Sequence, residues 1–559
     1  MKKNRFLLIS IIFISGLVSN VNSSENNITT FFDISFLSPI GGRCGSWTIL
    51  MEQQLPKIGI GVKYHETVGM DKFSYRTFNY PVGETYAYIP TYENGGFDIC
   101  FLGLDWDYDF NPSSWFDSIS IPPNGNNICQ FKNTTYDQIL EEYLNSLTHE
   151  YQISKLKEIQ KIIYEELPTI SVFYCKMIYG ISTNLTNIDP NLLYLNYHNP
   201  ENWGDLTNDE IVYAIPIPIG QNSSYYIPSF NNFIFPLHYF DGLWMKAVYG
   251  TLFKRDQISH EYVTNLASDY TFNTERTCLT IDLRAGIKFS NGHPVLAEDI
   301  KYTYDLLKTE ALQLSCYCHP YDTYIDSTDV VDNDTVIFNF TQPINYFLSV
   351  DLNNVFDLLN FGIIERSSVE PLISIHGYDI FDDFPFSANV SNALITSCGP
   401  FVLNKYDQIE NEIELIPNQY WNGDEITIEK IKLIYVSGKD NAVNGLLSGS
   451  IDIIDYNYYP VLADFESSED IVSLASDCLR SQEMIINLKH PILGTGELAP
   501  EGTKEAAKSI RKAISHSVPR QLLVEERLDN LGSAGVTCVP KGCFGFDDSL
   551  LPYEYNLTL

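Results

Sequence analysis

The segment "LDWDYDFNP" (104–112) holds three carboxylates, Asp105, Asp107 and Asp109, interleaved with Trp106, Tyr108 and Phe110. Carboxylates accept strong hydrogen bonds from ammonium groups, and an aromatic flank adds its own attraction for a cation. The same residues also suit a plain surface turn, because Asp bonds readily to backbone two residues on. Asp105 and Asp107 imitate a glycosidase acid pair, but proximity in sequence does not set the separation in space that hydrolysis needs. No G-x-S-x-G, H-E-x-x-H, P-loop or G-x-G-x-x-G stands in a fitting context, so a hydrolase reading has no motif beneath it. "CYCHP" gathers Cys316, Cys318 and His319 with the wrong spacing for a standard zinc site and no second ligand pair nearby. A disulfide or a buried thiol fits it better, and nothing in the chain asks for a metal or a cofactor. Gly399, in the turn "CGP", offers close backbone approach because it lacks a side chain.

The elements that must carry these residues alternate between strand and helix. "FFDISFLSPI" (31–40) reads as a strand, "SWTILMEQQLPKIG" as a helix and "IGVKYHETV" (60–68) as a second strand, a βαβ-like start. "GGFDICFLGLDW" is a buried strand that delivers the acidic turn. "TYDQILEEYLNSL" is a helix starting at Thr134 or Thr135. "ISKLKEIQKIIYEEL" sets Leu156, Ile159 and Ile163 on one helical face and stops at Pro168. "TISVFYCKMIYGIS" (169–182) is a strand, and residues 180–210, rich in Asn, Pro and Asp, form an extended connection. In "LTIDLRAGIKFSNGHPVLAEDIKYTYDLL" (279–307), Leu279, Ile281 and Leu283 alternate as in a half-buried strand, and Asn291-Gly292 makes a tight turn. Glu298 and Asp299 then sit at the positive end of a helix whose Ile300, Thr303, Tyr304 and Leu307 share a face. "DTVIFNF" is a strand, 397–421 two strands around a turn, and "AVNGLLSGSIDIIDY" a helix, a glycine stop and a buried strand. A helix, a break at Pro519 and another helix run through 503–528. The class is therefore α/β, with no internal repeat.

At 559 residues, two or more compact units are expected. Asp and Glu total 71 against 35 Lys and Arg, a net charge of −36, and no Lys/Arg cluster is visible, which excludes a nucleic-acid footprint. Lys2, Lys3 and Arg5 precede an apolar run from Phe6 to Val18 and small residues in "SNVNSS", the pattern of a secretory signal over 1–24; an uncleaved anchor is the other reading. No Cys follows the run directly, so a lipoprotein anchor lacks its residue. Eleven cysteines in an exported chain suggest some disulfides, with Cys538 and Cys543 placed to close a small loop. Sequons at Asn133, Asn184, Asn333, Asn339 and Asn389 agree with export.

Four of these stretches together resemble the family 5 solute-binding proteins of ABC transporters, the dipeptide- and oligopeptide-binding class. Residues 279–307 look like the signature F-x-LR-x-G-x-KF-x-[DN]G-x-P-x-A-x-D. "CGPFVLNKYDQIENEIELIPNQYWNG" is similar to GTGPY…N-x-x-YW, "LLSGSIDI" to L-x-x-G-x-ID, and "SIRKAISHSVPRQLLVEERL" to the VRQAI-x-x-AIDR helix pair. Residues 31–205 resemble the same family, but its end: "FDISFLSPI…LMEQQLPKIGIGVKY", "FDICFLGLDWDYDFNP" and "EIQKIIYEELPTISVFY" match segments that normally come last. The order looks circularly permuted, which surface termini lying close together permit; a truncated tandem array or a mis-predicted gene is the rival.

The resemblance implies a two-lobed periplasmic-binding-protein type II fold with an inserted subdomain and a ligand cleft between the lobes. By the same resemblance, 31–185 and 495–559 form the second lobe, 186–255 and 396–494 the first, and 256–395 the subdomain, and strand 31–40 packs beside elements near 505–530. It implies capture of a peptide by a monomer and delivery to an ABC permease, in an extracytoplasmic space. Oligosaccharide or nickel binding is the alternative within the family; a surface structural or sensory protein, or a hydrolase, is the alternative outside it. The family's partner for the ligand amine maps to Asp107 or Asp109, though neither falls cleanly in register with Pro112. Trp106 flanks that site, and Asn111 stands where the family often has Asp. Asn487 matches a strand beside the cleft, Tyr321 and Tyr324 follow the subdomain helix, and His238 and Tyr239 lie at the first-strand loop.

Overall fold

A computed structural model describes residues 30–40, 44–78, 90–106, 108–122, 124–146, 148–195, 199–207, 209–216, 247–256, 261–309, 324–344, 355–381, 396–407 and 409–558. Asp107, His238, Tyr239, Tyr321, the "CYCHP" cluster and the N-terminal signal pattern lie outside these.

The strands are β1 (Phe32–Pro39), β2 (Ile60–Val68), β3 (Ile99–Asp105), β4 (Thr169–Ser182), β5 (Leu185–Thr186), β6 (Gly204–Asp205), β7 (Glu210–Ile215), β8 (Phe253–Arg255), β9 (Tyr262–Thr264), β10 (Ala267–Phe272), β11 (Cys278–Leu283), β12 (Ile325–Val330), β13 (Thr335–Phe340), β14 (Phe401–Asp407), β15 (Glu412–Pro417), β16 (Lys430–Tyr435), β17 (Ile453–Ile454), β18 (Ile471–Ile486) and β19 (Gly532–Ala534). The helices of eight residues or more are α1 (Cys44–Gln54), α2 (Met70–Thr77), α3 (Thr134–Leu144), α4 (His149–Glu166), α5 (Ala297–Leu307), α6 (Arg366–His376), α7 (Lys439–Leu447), α8 (Lys504–His516) and α9 (Arg520–Arg527).

One sheet organises most of the chain, in the order β14-β15-β16-β7-β17-β4-β18-β3-β1-β2, with β19 paired to β4. Within it β16, β7 and β17 are parallel, and so are β3, β1 and β2. The two parallel groups lie on opposite sides of the two longest strands, β4 and β18, which are antiparallel to each other. The first half of β18 pairs with the end of β4 (Asp477↔Lys176), and its second half with the start of β4 and with β3 (Ser481↔Tyr174, Arg480↔Asp105). The register breaks between Asp477 and Ser481, where a bulge bends the ladder. Two half-sheets are thus joined through a pair of continuous strands.

The β1–β4 half is finished by the far end of the chain. The Arg511 guanidinium donates to the Glu166 carbonyl (2.6 Å) and Arg520 to the Ser171 carbonyl (2.9 Å). β19 adds to β4, and the Tyr553 and Tyr555 hydroxyls donate to Tyr164 O and Gln54 Oε1. β1 itself is flanked by β2 and β3. The element meeting α9 is α1, whose Ile49, Leu50 and Gln53 face Leu522, Leu523, Glu526 and Arg527 across a shallow groove. A second, antiparallel sheet, β10-β11-β13-β12, is covered by α5; Ile300, Thr303, Tyr304 and Leu307 are all buried, and the Tyr304 ring stands 4.8 Å from Phe338.

Local causes account for the helix ends. Asn133 caps α3 by accepting from the Thr135 and Tyr136 amides, and Thr148 caps α4 by accepting from Tyr151 N. Leu167 turns left-handed at the end of α4, with Pro168 beyond it. Leu156, Ile159 and Ile163 form the buried stripe of α4. Cys538 and Cys543 do not close a loop: both are buried as separate thiols.

Candidate ligand cleft

Parallel strands direct their C-terminal ends, and the loops that follow, to one edge, which is where open α/β sheets take ligands. Here β3 of one half-sheet and β7, β16 and β17 of the other end toward the β4–β18 crossing.

On the first side, β3 ends at Asp105, whose carboxylate pairs with Arg480 at 2.6 Å, an exposed contact of small energetic weight. The Trp106 amide donates to Leu479 O (2.8 Å) and its indole N–H reaches toward Ser481 Oγ (3.4 Å). Its ring packs 4.4 Å from Phe110, so Trp106 lies buried beneath the loop. Phe544 N donates to Tyr108 O, and the Tyr143 hydroxyl to Phe110 O. Asn111 Oδ1 accepts from the Ser113 amide and hydroxyl, an Asx turn that opens a short helical turn.

Asp109, 1% exposed, is held by Arg255 Nη2 at 2.6 Å. Arg255 ends β8, which pairs with β9 in a small two-stranded sheet of its own beside the second sheet: Phe253 packs on Tyr270 and Phe356, and Thr251 and Leu252 accept from Leu266 and Asn265. The guanidinium lies 4.0 Å from the centre of the Tyr262 ring and 5.6 Å from that of Tyr108, so aromatic faces partly replace its hydration. Burial, and then the Asp109 charge, push the Tyr108 phenol up, against the opposing effect of Arg255.

The C-terminal ends of β7, β16 and β17 are rich in tyrosine. The Asp455 carboxyl accepts from the Tyr213 hydroxyl (2.5 Å) and from the backbone and side-chain nitrogens of Asn457 (2.8 and 2.7 Å). Burial pushes Asp455 up, and those three donors pull it back. Tyr456 meets Tyr179 edge to face, and the Tyr458 hydroxyl lies 2.5 Å from Ile215 O and 2.7 Å from Val436 O. These bonds tie together the ends of β7, β16 and β17.

The remaining sequence candidates fall into supporting positions. Gly399 donates its N–H to Val248 O, and a Cβ there would stand 2.5 Å from the Ala247 and Val248 carbonyl oxygens. The close approach it permits is to its own chain. Asn487, fully buried, donates to Phe97 O (2.9 Å) and accepts from Lys489 N (2.9 Å). Tyr324 is buried at the start of β12, its carbonyl accepting from Thr341 N.

A Ser–His–Glu array lies elsewhere. His65 Nε2 is 2.8 Å from Ser38 Oγ, and its Nδ1 contacts Glu52 Oε1. Ser38 is buried and its hydroxyl also lies 3.1 Å from Thr67 Oγ1, so the array clamps α1 onto β1 and β2. Among the described residues no group of three or more His, Cys, Asp or Glu is arranged to hold a metal ion, and no helix is long and apolar enough to cross a membrane.

Residues 261–559 match the family model for bacterial extracellular solute-binding proteins, family 5. The chain belongs to that family. It is 24% identical over 304 residues to the probable D,D-dipeptide-binding periplasmic protein DdpA of Escherichia coli (strain K12), covering 54% of this chain and 52% of that one. It is 21% identical over 298 residues to the oligopeptide-binding protein OppA of Bacillus subtilis (strain 168), covering 51% and 50%. A dipeptide binding protein from Pseudoalteromonas sp. SM9913, solved in complex with Met-Leu, is 16% identical with a TM-score of 0.36, covering 46% of this chain and 48% of that one. The chain spans about half the length of the curated relatives it matches.

Arg255 and its aromatic neighbours were not found from sequence. A lone arginine carries no local signal, and its partner is 146 residues away.

Proposed function

We propose that this protein captures peptides outside the cytoplasm, in the cleft between the two half-sheets, and hands them to an ABC permease. The observation that carries the reading is the family match over 261–559, set beside parallel-strand ends that converge from both half-sheets on the β4–β18 crossing. The names of the relatives point the same way, as dipeptide- and oligopeptide-binding proteins.

A peptide needs an anion for its ammonium group, a donor for its carboxylate and partners along its backbone. Asp109 is engaged by Arg255, so we assign the ammonium to Asp107 on the sequence alone. Trp106 and Asn111 brace the loop after β3 through the bonds described above, whereas Asn487 bonds at the opposite, N-terminal end of β3, Gly399 turns the chain into β14 at the N-terminal end of β16, and Tyr324 lies in the second sheet. The protein acts as a monomer and without a cofactor. We further propose that family-end segments precede family-start segments because the chain is permuted. Support comes from residues 504–555, which bond to α1, α4 and β4 within one half-sheet.

The test is a thermal-shift screen with di- to hexapeptides, oligosaccharides and Ni²⁺, since a ligand that binds the native state raises its melting temperature. A shift with peptides, lost in Asp107→Asn, is expected. Shifts with oligosaccharides or Ni²⁺ alone would move the assignment within the family. No shift with any of them would favour a structural or sensory protein.

A further inference from the structure

We propose that the exported chain carries N-linked glycans at Asn133, Asn184 and Asn333, and that its fold forbids the same modification at Asn339. The inference needs export but no ligand in the cleft, so its failure and the failure of peptide capture are read separately.

Each of the four heads an Asn-x-Thr sequence, completed by Thr135, Thr186, Thr335 and Thr341. A glycan attaches to the amide nitrogen, Nδ2, and it is bulky and hydrated. An acceptor in the folded chain must therefore leave that nitrogen unspent and open to water. The fold sorts the four residues on this point.

Asn333 is exposed in the turn between β12 and β13. Its carbonyl accepts from Ala297 N, and among the described residues nothing bonds to its side chain. Asn184 is partly exposed in the turn between β4 and β5. Its backbone is used, the amide on Ser182 Oγ and the carbonyl by Leu206 N, while its side chain has no bond among the described residues. Asn133 caps α3 with Oδ1 alone, accepting from the Thr135 and Tyr136 amides, which leaves Nδ2 over. Asn339 differs. It lies in β13, flanked by β11 and β12, and both Nδ2 hydrogens are spent, on Ser327 Oγ (2.9 Å) and Asp329 Oδ2 (2.7 Å). Cys278 Sγ donates to its Oδ1. A glycan there would replace one of those hydrogens and crowd a face shared by three strands.

The step needs a lipid-diphosphate-linked oligosaccharide as donor, in the export compartment. Nδ2 bonds to the anomeric carbon of the donor, the bond from that carbon to the diphosphate breaks, and the lipid diphosphate leaves. Nδ2 gives up one proton, and nothing is oxidised or reduced.

The test uses the full chain purified from cells that export it. Peptide N-glycosidase in heavy-oxygen water turns each occupied Asn into a labelled Asp, which peptide mass spectrometry reads against a control without enzyme. Label at Asn133, Asn184 and Asn333, with Asn339 bare, is the expected result. Three bare positions, or label at Asn339 in protein that unfolds cooperatively, would overturn the proposal. Variants separate the glycan from the fold. Asn133→Asp keeps a capping oxygen but has no amide nitrogen. Asn133→Asp, Asn184→Gln and Asn333→Gln should each remove one glycan step from the electrophoretic mobility and keep cooperative unfolding. Variants that migrate as the unaltered chain would also overturn it.

Discussion

Glu483 is the most informative residue to perturb. It lies in the second half of β18, fully buried, paired in register with Ser171 of β4 and Leu102 of β3. No hydrogen bond of ordinary geometry reaches either carboxyl oxygen, while the Ser171, Ser481 and Thr169 hydroxyls are near enough to favour its charge. Burial dominates and pushes the carboxyl up to about 7, against those hydroxyls and the attraction of Arg520. In the unfolded chain it titrates near the ordinary 4.5. Between these values the folded form keeps a proton that the unfolded form has lost, so stability falls as pH rises through this window. At about 1.4 kcal/mol per unit, the loss is about 3 kcal/mol by pH 7. Glu483→Gln keeps the shape and does not titrate. Arg520 does not depend on the carboxylate, because its donors reach Ser171 O, Ser515 O and Oγ, and Tyr553 O. The assay is denaturant unfolding of both proteins at pH 5 and pH 8. The variant should gain on the wild type by about 3 kcal/mol between the two. Curves that stay parallel across that range would refute a buried, largely neutral Glu483.

Other consequences are simpler to read. Gly399→Ala drives a methyl into the Ala247 and Val248 carbonyls and should lower stability by about 1–3 kcal/mol, seen as a lower melting temperature without any change in peptide preference. Cys538 is fully buried, which pushes its thiol well above the ordinary range, so a thiol reagent should label it only after denaturation. Rapid labelling of the native protein would contradict that burial. His65→Ala should free α1 from β1 and β2 and lower the melting temperature, read by differential scanning calorimetry.

Much of the local structure was legible because it follows from spacing along the chain. The stripe of α4, the buried face of α5 and the whole of β4 came from hydrophobic periodicity, and the break at Pro519 from its missing amide hydrogen. β18 was legible only at its end, "MIINL". Its first half carries Ser473, Ser476 and Asp477, and it becomes a 16-residue strand through pairing with β4, nearly 300 residues away in sequence. The site was harder for the same reason. Asn487 and Gly399 have the residue types of ligand contacts, yet the backbone around them uses their capacity. Cys538 and Cys543 have loop-closing spacing, but each is packed into the core separately. Asp109 was found as an acid near a tryptophan, and only the folded chain supplies Arg255 as its partner.

Peptide capture is the central claim, and isothermal titration of the full chain with di- to hexapeptides tests it most directly. Saturable binding of at least one length class, at one site per chain and lost in Asp107→Asn, is the expected result. Absence of heat with every peptide, from protein that unfolds cooperatively, would contradict the account.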